Sequence, residues 1–466
     1  MAATGLIPDL LEVPVPVGGR ALIVSELHLT GSANAGSTLA TTQVAQAIES
    51  WTGPGVLIFN GGGLELLTSR PVDGNAALAA YPRLVSAVKA FAARPGRRVL
   101  YLPGARDSRA AWDRDTATAL RNGFGAEVAL AAELRLDTGA GPRLVRVEPG
   151  HRFDPLTCPG DPRNPADSPL GHHLVCEVLP ALRGDDSTQP VSDRGWLAGL
   201  EALDDPATFP RFLASRLAYR RLGRHAWWLL LPFIVAVLLR LPFAVVRRAH
   251  EHVVSATRIG VYVGVATIVD LLLVAVVATV VIRRTWRALA GVALNRAADR
   301  EDPNGPARGL ARELVTSGHA GLITGHTRRP ELTRLGSGFY ANTGCVGEVV
   351  SETPSRLASL GIPSLFLAHR QVAWVELEAG NDLHVRLLYG QEDLPGATWI
   401  ERLLARPSPR PSTVSGREPE TAEVVAAFPQ GASWPPPVDV AVRLRRVRRV
   451  SASLVAFAGI VSMVSA

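Results

Sequence analysis

Hydrophobic positions change their pattern twice along the 466-residue chain. Between residues 20 and 150, short β-rich runs end at glycine or polar clusters and alternate with alanine-rich helical stretches, which is typical of a layered α/β domain. Similar runs resume near residue 320. The predicted strands are Ala21–Ser25, Val56–Asn60, Arg98–Leu102, Leu144–Val147, Gly321–Gly325, Val372–Leu377 and Leu383–Leu388. The gap between the two groups predicts a segment inserted into one α/β domain.

The predicted insert contains two long apolar stretches, residues 227–246 and 260–282, each with a single charged residue. About 20 apolar residues in a helix cross the roughly 30 Å hydrocarbon core of a bilayer. The pattern therefore favours a two-helix transmembrane hairpin. The alternative is a pair of buried helices in a soluble cap, although helices that are apolar on every side are hard to bury in a small domain. Arg240 and Asp270 would pair within the bilayer, or Arg240 would snorkel to its surface.

Arginines around the apolar stretches orient the hairpin. Five lie in residues 211–225 and five in residues 283–300, against three in the connecting residues 247–258. Positive charge is concentrated on the cytoplasmic side of membrane proteins. We therefore expect a multi-pass protein of the cell membrane with both halves of the α/β domain in the cytoplasm.

The expected organisation has five parts. Residues 1–155 and 316–400 form the two halves of the α/β domain, and residues 156–315 form the helical insert. Residues 401–440 are predicted to form a proline-rich linker. Residues 441–466 combine a basic juxtamembrane cluster, which favours anionic lipid, with an apolar helix. That helix would lie in the membrane interface or form part of a third span.

Composition narrows the classes of function. Hydrophobic residues make up 47% and charged residues 20%, which excludes a wholly disordered chain. The net charge of +7 is a mild excess over this length, and no nucleic-acid-binding signature accompanies it. Three cysteines without a CxxC indicate a reducing compartment rather than a disulfide framework. The N-terminal residues do not predict a signal peptide.

Five short segments with candidate chemistry follow predicted strands or turns. Each resembles a signature of the calcineurin-like metallophosphoesterases, and the resemblance covers about residues 20–155 and 315–390. The segments are SELHL (25–29), NGGGLE (60–65), PGARD (103–107), GHRFDP (150–155) and GHTRRP (325–330). GHRFDP further resembles the UDP-diacylglucosamine pyrophosphatase branch, which acts on lipid-linked substrates and carries a lipid-binding cap between the same two signatures.

This resemblance implies a four-layer αββα sandwich with two divalent metal ions on loops at the strand ends. Such ions clamp a phosphate and lower the pKa of a bridging water, so that hydroxide attacks in line. The metal positions that keep a ligand are Glu26, which replaces the usual Asp, and His28, His151 and His326. Glu65, Asp107 and Asn342 match supporting positions around the site.

The chain departs from the family pattern at the remaining ligand positions. The bridging Asp is replaced by Gly62, the Asn ligand by Ala105, and two histidines by Arg106 and Arg328. Each metal would keep two protein ligands, whereas catalytic metals generally use three or more. Arg106 cannot act as a general acid, because a guanidinium does not release its proton near neutral pH. No catalytic residue is assigned.

Two interpretations of the site remain. In one, Arg106 and Arg328 replace the charge of the metals and bind a phosphate-containing ligand. In the other, Glu26, His28, His151 and His326 collect one weakly bound divalent ion, Mn or Zn, and slow hydrolysis persists. The expected protein is therefore a membrane-anchored phosphoesterase domain with weakened or lost hydrolysis of a phosphoester or lipid-linked pyrophosphate, or a phosphate-binding or scaffold protein. Its expected partners are membrane lipid and a phosphate-containing ligand, with no nucleic acid and no identifiable protein partner.

Overall fold

The computed structural model describes residues 7–67, 73–178, 199–203, 208–222, 238, 246, 256–290, 302–358, 363–406 and 421–425. In chain order, the strands are β1 (Leu11–Val15), β2 (Arg20–Val24), β3 (Gly55–Asn60), β4 (Arg97–Leu102), β5 (Ala126–Val128), β6 (Ala132–Thr138), β7 (Gly141–Val147), β8 (Gly321–Thr324), β9 (Glu331–Leu335), β10 (Gly338–Asn342), β11 (Val346–Thr353), β12 (Leu365–Ala379), β13 (Leu383–Asp393) and β14 (Thr421–Val425). All seven predicted strands are confirmed.

The α-helices in the described residues are α1 (Ala35–Glu49), α2 (Gly74–Ala79), α3 (Pro82–Ala92), α4 (Arg109–Trp112), α5 (Arg114–Phe124), α6 (Leu170–His173), α7 (Phe209–Arg216), α8 (Ala256–Ala290), α9 (Gly305–Thr316) and α10 (Trp399–Leu404). Local chemistry sets several of their ends. Asn34 caps α1 through a reciprocal side-chain and backbone pair with Ser37. Pro82 occupies the first turn of α3, where its missing N–H costs no hydrogen bond.

The strands form two sheets. One has the order β14-β13-β12-β2-β3-β4-β5 with β11 paired to β12, and the other has the order β1-β6-β7-β8-β10-β9. Strands β2, β3 and β4 are parallel neighbours, as are β7 and β8 in the second sheet. The carboxyl ends of parallel strands meet at one edge of a sheet, which is where ligands bind in such folds. All five sequence segments follow these five strands.

Alternating side chains divide the core into layers. On β2, Leu22 and Val24 pack with the helices α1 and α3, whereas Ala21 and Ile23 face the second sheet. On the far side of that second sheet, Leu322 and its neighbours pack against α9. The described residues therefore form helix, sheet, sheet and helix layers, because central parallel strands such as β3 and β8 are buried on both faces. This arrangement is an α/β sandwich, as expected.

Residues 209–222 of the insert pack against β12 and α10 of this sandwich. Phe212 of α7 is fully buried against Phe366 of β12, with ring centroids 5.4 Å apart. Arg216, 1% exposed, donates to the equally buried Glu401 at 2.9 Å. A buried ion pair of this kind is costly to break from one side. Residues 209–222 are therefore fixed to both β12 and α10.

The expected membrane hairpin gains no support from the structure. The first predicted span, 227–246, lies outside the described residues apart from Leu238 and Val246. Helix α8 contains the whole second span, and its side chains are described at only part of its positions. Within the described residues, no helix offers an apolar stretch long enough to cross a membrane. Residues 426–466, with the predicted basic cluster and apolar helix, also lie outside the described residues.

Candidate functional site

Backbone hydrogen bonds join the loops that carry the first three segments. The amide of Glu26 donates to the carbonyl of Gly61 at 2.9 Å, and that of His28 donates to Gly62 at 2.8 Å. The amide of Gly61 in turn donates to Leu102, the last residue of β4, at 2.8 Å. The loops after β2, β3 and β4 therefore form one bonded unit.

Close backbone packing brings in the other two segments. A Cβ atom at Gly104 would lie 2.8 Å from the Cα of Gly61, and one at Gly150 would lie 2.5 Å from the carbonyl oxygen of Gly325. A Cβ at Gly325 would lie 2.6 Å from Ser25 Oγ. Real Cβ atoms do not approach other atoms so closely, so only glycine fits at these three positions. All five segments meet at one place.

The carboxylate of Asp107 holds the glycine-rich loop after β3 in place through hydrogen bonds. Its buried carboxylate accepts hydrogen bonds from the amides of Gly63 at 2.8 Å and Gly104 at 2.6 Å, and from the Tyr101 hydroxyl. Burial raises the pKa of this carboxyl, although the hydrogen bonds from Tyr101 and from the backbone act in the opposite direction. Among the contacts of the described residues, Asp107 makes no ion pair with its sequence neighbour Arg106. Arg106 Nη1 lies 3.5 Å from Glu65 instead.

Four residues of the first and last segments have left-handed backbone. Among the described residues, the non-glycine residues with positive φ are Glu26 (54°), His28 (47°), His326 (76°) and Arg328 (54°). Such a conformation is costly for L-residues and clusters at functional sites. Two of the five loops that the resemblance singled out, those of residues 25–29 and 325–330, therefore hold the non-glycine residues with strained backbone in the described fold.

Glu26, His28 and Glu65 form a buried hydrogen-bonded chain. His28 Nε2 lies 2.9 Å from Glu26 Oε2, and its Nδ1 lies 3.0 Å from Glu65 Oε2. The pKa of Glu26 is lowered to about 2, because the hydrogen bond and charge of His28 and the charge of Arg328 outweigh its burial. Burial and Arg328 lower the pKa of His28, but its two carboxylate partners outweigh them and raise it overall.

Arg328 lies between the two candidate ligands of the first metal. Its Nη2 is 2.7 Å from His28 Nε2, and its Nε is 3.5 Å from Glu26 Oε2. Its Nη1 donates to the carbonyl of Leu203, in the insert, at 3.1 Å. The side chain is 6% exposed. A fixed positive charge therefore contacts both groups that would have bound a cation.

The side chain of Glu26 occupies the space next to Gly62. A Cβ atom at Gly62 would lie 2.7 Å from Glu26 Oε1 and 2.9 Å from Glu26 Cδ. The longer carboxylate at position 26 thus fills the space that a side chain at position 62 would enter. The glutamate at position 26 and the glycine at position 62 are therefore matched in volume.

The two candidate ligands of the second metal have other partners or none. His326 Nε2 lies 3.1 Å from Asp154 Oδ2 and 3.1 Å from Thr157 Oγ1. The rings of His151 and His326 are 6.5 Å apart, and His151 Nδ1 is buried with no hydrogen-bond partner among the described residues. Burial and the neighbouring His326 lower the pKa of His151 to about 3, so its ring is neutral.

These residues do not fit a binuclear metal centre. Glu26 and Glu65 already face Arg106, Arg328 and His28, so the network is close to electrically balanced without a cation. The guanidinium of Arg328 contacts the first pair of ligands directly. Within the part of the chain that the structure describes, no three His, Cys, Asp or Glu side chains are grouped in a way that could hold a metal ion.

A cavity of about 460 Å³ opens over the network. Its polar lining includes Glu26, Arg106, His151, His326 and Arg328. Ala105 also lines the cavity. The resemblance singled out eight positions, which are four candidate ligands, two arginines and the replaced positions 62 and 105, and six of them lie at the cavity wall. His28 does not line the cavity, and its ring contacts Arg328 instead. The apolar lining is supplied by Leu66, Leu67, Ala111, Trp112, Val175 and Leu203.

Asn342 has a supporting role beside the last segment. Its side-chain amide donates to the carbonyl of Gly325 at 3.0 Å, and its side-chain oxygen accepts from the amide of Gly344 at 2.9 Å. These bonds fix the turn after β10. Sequence reasoning did not assign Asp154, which holds His326, or Leu203, which accepts from Arg328. The Asp of GHRFDP was visible in the sequence, whereas nothing in the sequence placed Leu203 at the site.

Comparisons with known proteins add no family assignment. No family model matches this chain, and no curated protein matches it. Among solved structures, a mutant of a cold-active protein tyrosine phosphatase is similar at 12% identity and a TM-score of 0.26, covering 84% of this chain and 83% of that one. The cold-active protein tyrosine phosphatase of a psychrophilic Shewanella species gives 12% and 0.25, with 84% and 83% covered. Likenesses this weak carry no argument about fold or function.

Proposed function

We propose that this chain is a calcineurin-like phosphoesterase domain whose site binds a phosphate-containing ligand through arginine and has lost metal-dependent hydrolysis. The observation that carries the proposal is the position of Arg328, 2.7 Å from His28 and 3.5 Å from Glu26. A guanidinium keeps its proton at any physiological pH, so it excludes a cation from this place permanently. The strained backbone of both loops supports a retained binding geometry.

Arg106 is the arginine best placed to contact the ligand. It lines the cavity, and its contact with Glu65 is long, at 3.5 Å. Arg328 instead directs all three guanidinium nitrogens at groups of the protein. A guanidinium binds phosphate oxygens through paired N–H donors. The neutral ring of His151, with its unpartnered Nδ1, is a second group in the cavity that can complete the anion's hydrogen bonds.

The size and lining of the cavity restrict the ligand class. A volume of about 460 Å³ is within the range of sites for organic ligands and is much larger than inorganic phosphate requires. Trp112, 41% exposed, and Leu203 lie on its apolar side. We therefore propose an organic phosphate whose apolar portion contacts this wall while its phosphate contacts Arg106.

Calorimetric titration of the purified protein with p-nitrophenyl phosphate and with inorganic phosphate tests this proposal. The aryl phosphate should bind more tightly, and EDTA should leave both affinities unchanged. Arg106→Ala should weaken binding by about 1.5–3 kcal/mol, roughly 10- to 150-fold, which is the range for hydrogen bonds to a charged group. Arg114→Ala is the matched control, because Arg114 is exposed and does not line the cavity.

The competing function is residual single-ion hydrolysis by Glu26, His28, His151 and His326. In that case p-nitrophenyl phosphate would be turned over with Mn²⁺ or Zn²⁺ present, EDTA would abolish the turnover, and His326→Ala would abolish it in the same preparation. This combination would refute the arginine proposal. Loss of ligand binding on adding EDTA, without turnover, would refute it as well.

Membrane attachment is the second part of the proposal. Apolar side chains are 44–62% exposed along most of the described length of α8. They are Val261, Val265, Ile268, Val269, Leu272, Leu273, Val276, Val277 and Val280. Exposed apolar surface of this extent marks an interaction site, and a bilayer would cover it on every side. The protein should stay with membranes after washing with carbonate or with concentrated salt, and release by carbonate would contradict attachment through a buried apolar segment.

A further inference from the structure

A group of exposed apolar and basic side chains lies around α10, away from the cavity. Trp399 is 70% exposed and Leu403 is 59% exposed, and they stand one helical turn apart on the same face. Leu357 is also exposed, as are three arginines. We define the Trp399 patch as Arg356, Leu357, Trp399, Arg402, Leu403 and Arg406.

The two parts of the Trp399 patch are held together by hydrogen bonds. Arg356 donates its amide to the carbonyl of Leu404 at 2.8 Å and its Nε to that of Ala405 at 2.9 Å. A capping box formed by Thr398 and Glu401 fixes the start of the helix. The exposure of Trp399 is therefore a property of ordered backbone, because both flanking segments are fixed.

The Trp399 patch is also fixed to the chain that leads into the first apolar stretch. Arg220 donates to the carbonyl of Gly396 at 3.1 Å and to Glu401 at 3.1 Å, and Arg216 shares the same carboxylate. Residue 220 is seven positions before the apolar stretch 227–246. Arg220, seven residues before that stretch, is thus held beside the helix that exposes Trp399.

We infer that the Trp399 patch lies in the headgroup layer of an anionic lipid bilayer, an inference that rests on the proposed membrane attachment. Tryptophan is enriched at this depth, because its ring is apolar and its N–H can still be hydrated. Exposed arginines near such a surface are attracted by anionic headgroups. The apolar stretch that follows the residues bonded to the patch favours a bilayer as its partner over a second protein.

An environment-sensitive probe on the full-length protein tests this inference. Cys158 and Cys176 are replaced by serine, leaving the buried Cys345, and a bimane label is attached at Leu403→Cys. Val17→Cys is the control position: Val17 is 61% exposed, and its neighbour Gly18 bonds to Ala379 at the far end of β12. Strand β12 is 15 residues long and spans about 45 Å. Helix α10 is bonded to Arg216 of α7, whose Phe212 packs on Phe366 near the start of β12, whereas Val17 lies beside the end of β12.

Each labelled protein is reconstituted into phosphatidylcholine vesicles with or without phosphatidylglycerol, and flotation verifies its attachment. Lipid-borne nitroxide near the headgroups should quench the label at position 403 at least about twofold more than at position 17. Arg402→Glu with Arg406→Glu should reduce that difference only in vesicles with phosphatidylglycerol. Equal quenching at both positions in floated protein would overturn the inference, as would label-to-label quenching at position 403, which indicates a second copy. Protein that does not float would refute membrane attachment itself.

Discussion

The volume match between Glu26 and Gly62 leads to a quantitative prediction. In Gly62→Asp, the new Cβ would lie 2.7 Å from Glu26 Oε1 in a buried site. Overpacking of this kind costs about 1–3 kcal/mol. The φ of +61° at position 62 adds about 1–2 kcal/mol for a residue with a side chain. We expect Gly62→Asp to lower the free energy of unfolding by about 2–5 kcal/mol.

Shortening Glu26 should remove the packing part of this cost and leave the backbone part. In a double-mutant cycle, Glu26→Asp and Gly62→Asp should therefore couple favourably by about 1–3 kcal/mol, the overpacking range. Urea unfolding of the four proteins in detergent measures the coupling. Gly309→Asp is the control for the added charge, because a Cβ there meets nothing within 4 Å. Additive effects of the Glu26 and Gly62 changes, equal to those with Gly309, would refute the reasoning.

The same geometry alters the design of a rebuilt metal centre. Restoring only the replaced ligands would leave Glu26 in the space of the new bridging carboxylate. The set that should gain two bound ions is Glu26→Asp, Gly62→Asp, Ala105→Asn, Arg106→His and Arg328→His. Metal analysis after dialysis against Mn²⁺ should show more bound metal in this variant than in the same variant with Glu26 retained. Equal metal content in both would mean that Glu26 does not obstruct the site.

Three further outcomes follow from the buried charges. The pKa of Glu26 is about 2, against 4.5 ordinarily, so its charge contributes about 3 kcal/mol of stability above pH 4.5 that is lost as the pH falls towards 2. In Glu26→Gln, urea midpoints should not show this loss of stability on acidification. Arg328→Met leaves His28 as the charge partner of Glu26. A histidine with a raised pKa stabilises the fold only at pH values below that pKa, where it is charged. The variant's free energy of unfolding should therefore be lower than that of the unchanged protein by about 3–5 kcal/mol at pH 8, and by less at pH 6. Tyr101→Phe removes a hydrogen-bond donor to the buried carboxylate of Asp107 and should lower the free energy of unfolding by about 1–3 kcal/mol, measured by thermal or urea unfolding. An unchanged free energy of unfolding would mean that water replaces the hydroxyl.

The central strands were predictable because their sequences are locally unambiguous. Val56–Phe59 is an unbroken apolar run that leads through Asn60 to three glycines, and all of these strand residues are buried in β3. By contrast, Glu331–Leu335 in β9 carries a glutamate, a threonine and an arginine, and its pairing with β10 depends on a turn that periodicity does not identify. The β-rich pattern therefore identified the central parallel strands, and it missed the edge strands β1, β5, β9 and β14 together with β6, β10 and β11.

The candidate site was likewise predictable only in part. The sequence alone predicted that Arg328 would place positive charge among the ligand positions, since only the order of the segments was needed. The space shared by Glu26 and Gly62, and the bond from Arg328 to Leu203, depend on contacts between distant parts of the chain. Asp107 matched a supporting position in the sequence, but its bonds to Gly63, Gly104 and Tyr101 likewise depend on how the loops fold. Membership of the phosphoesterase family stays a prediction.

The left-handed backbone at Glu26, His28, His326 and Arg328 sets stability against function in this fold. Each such residue costs about 1–2 kcal/mol relative to glycine, so four of them together approach the whole stability of a typical domain, about 5–15 kcal/mol. Glycine at all four positions would relieve that strain, but it would also remove the carboxylate, imidazole and guanidinium groups whose mutual contacts stabilise the site. The backbone preference of these two loops therefore opposes the side chains that the site requires, at four positions at once.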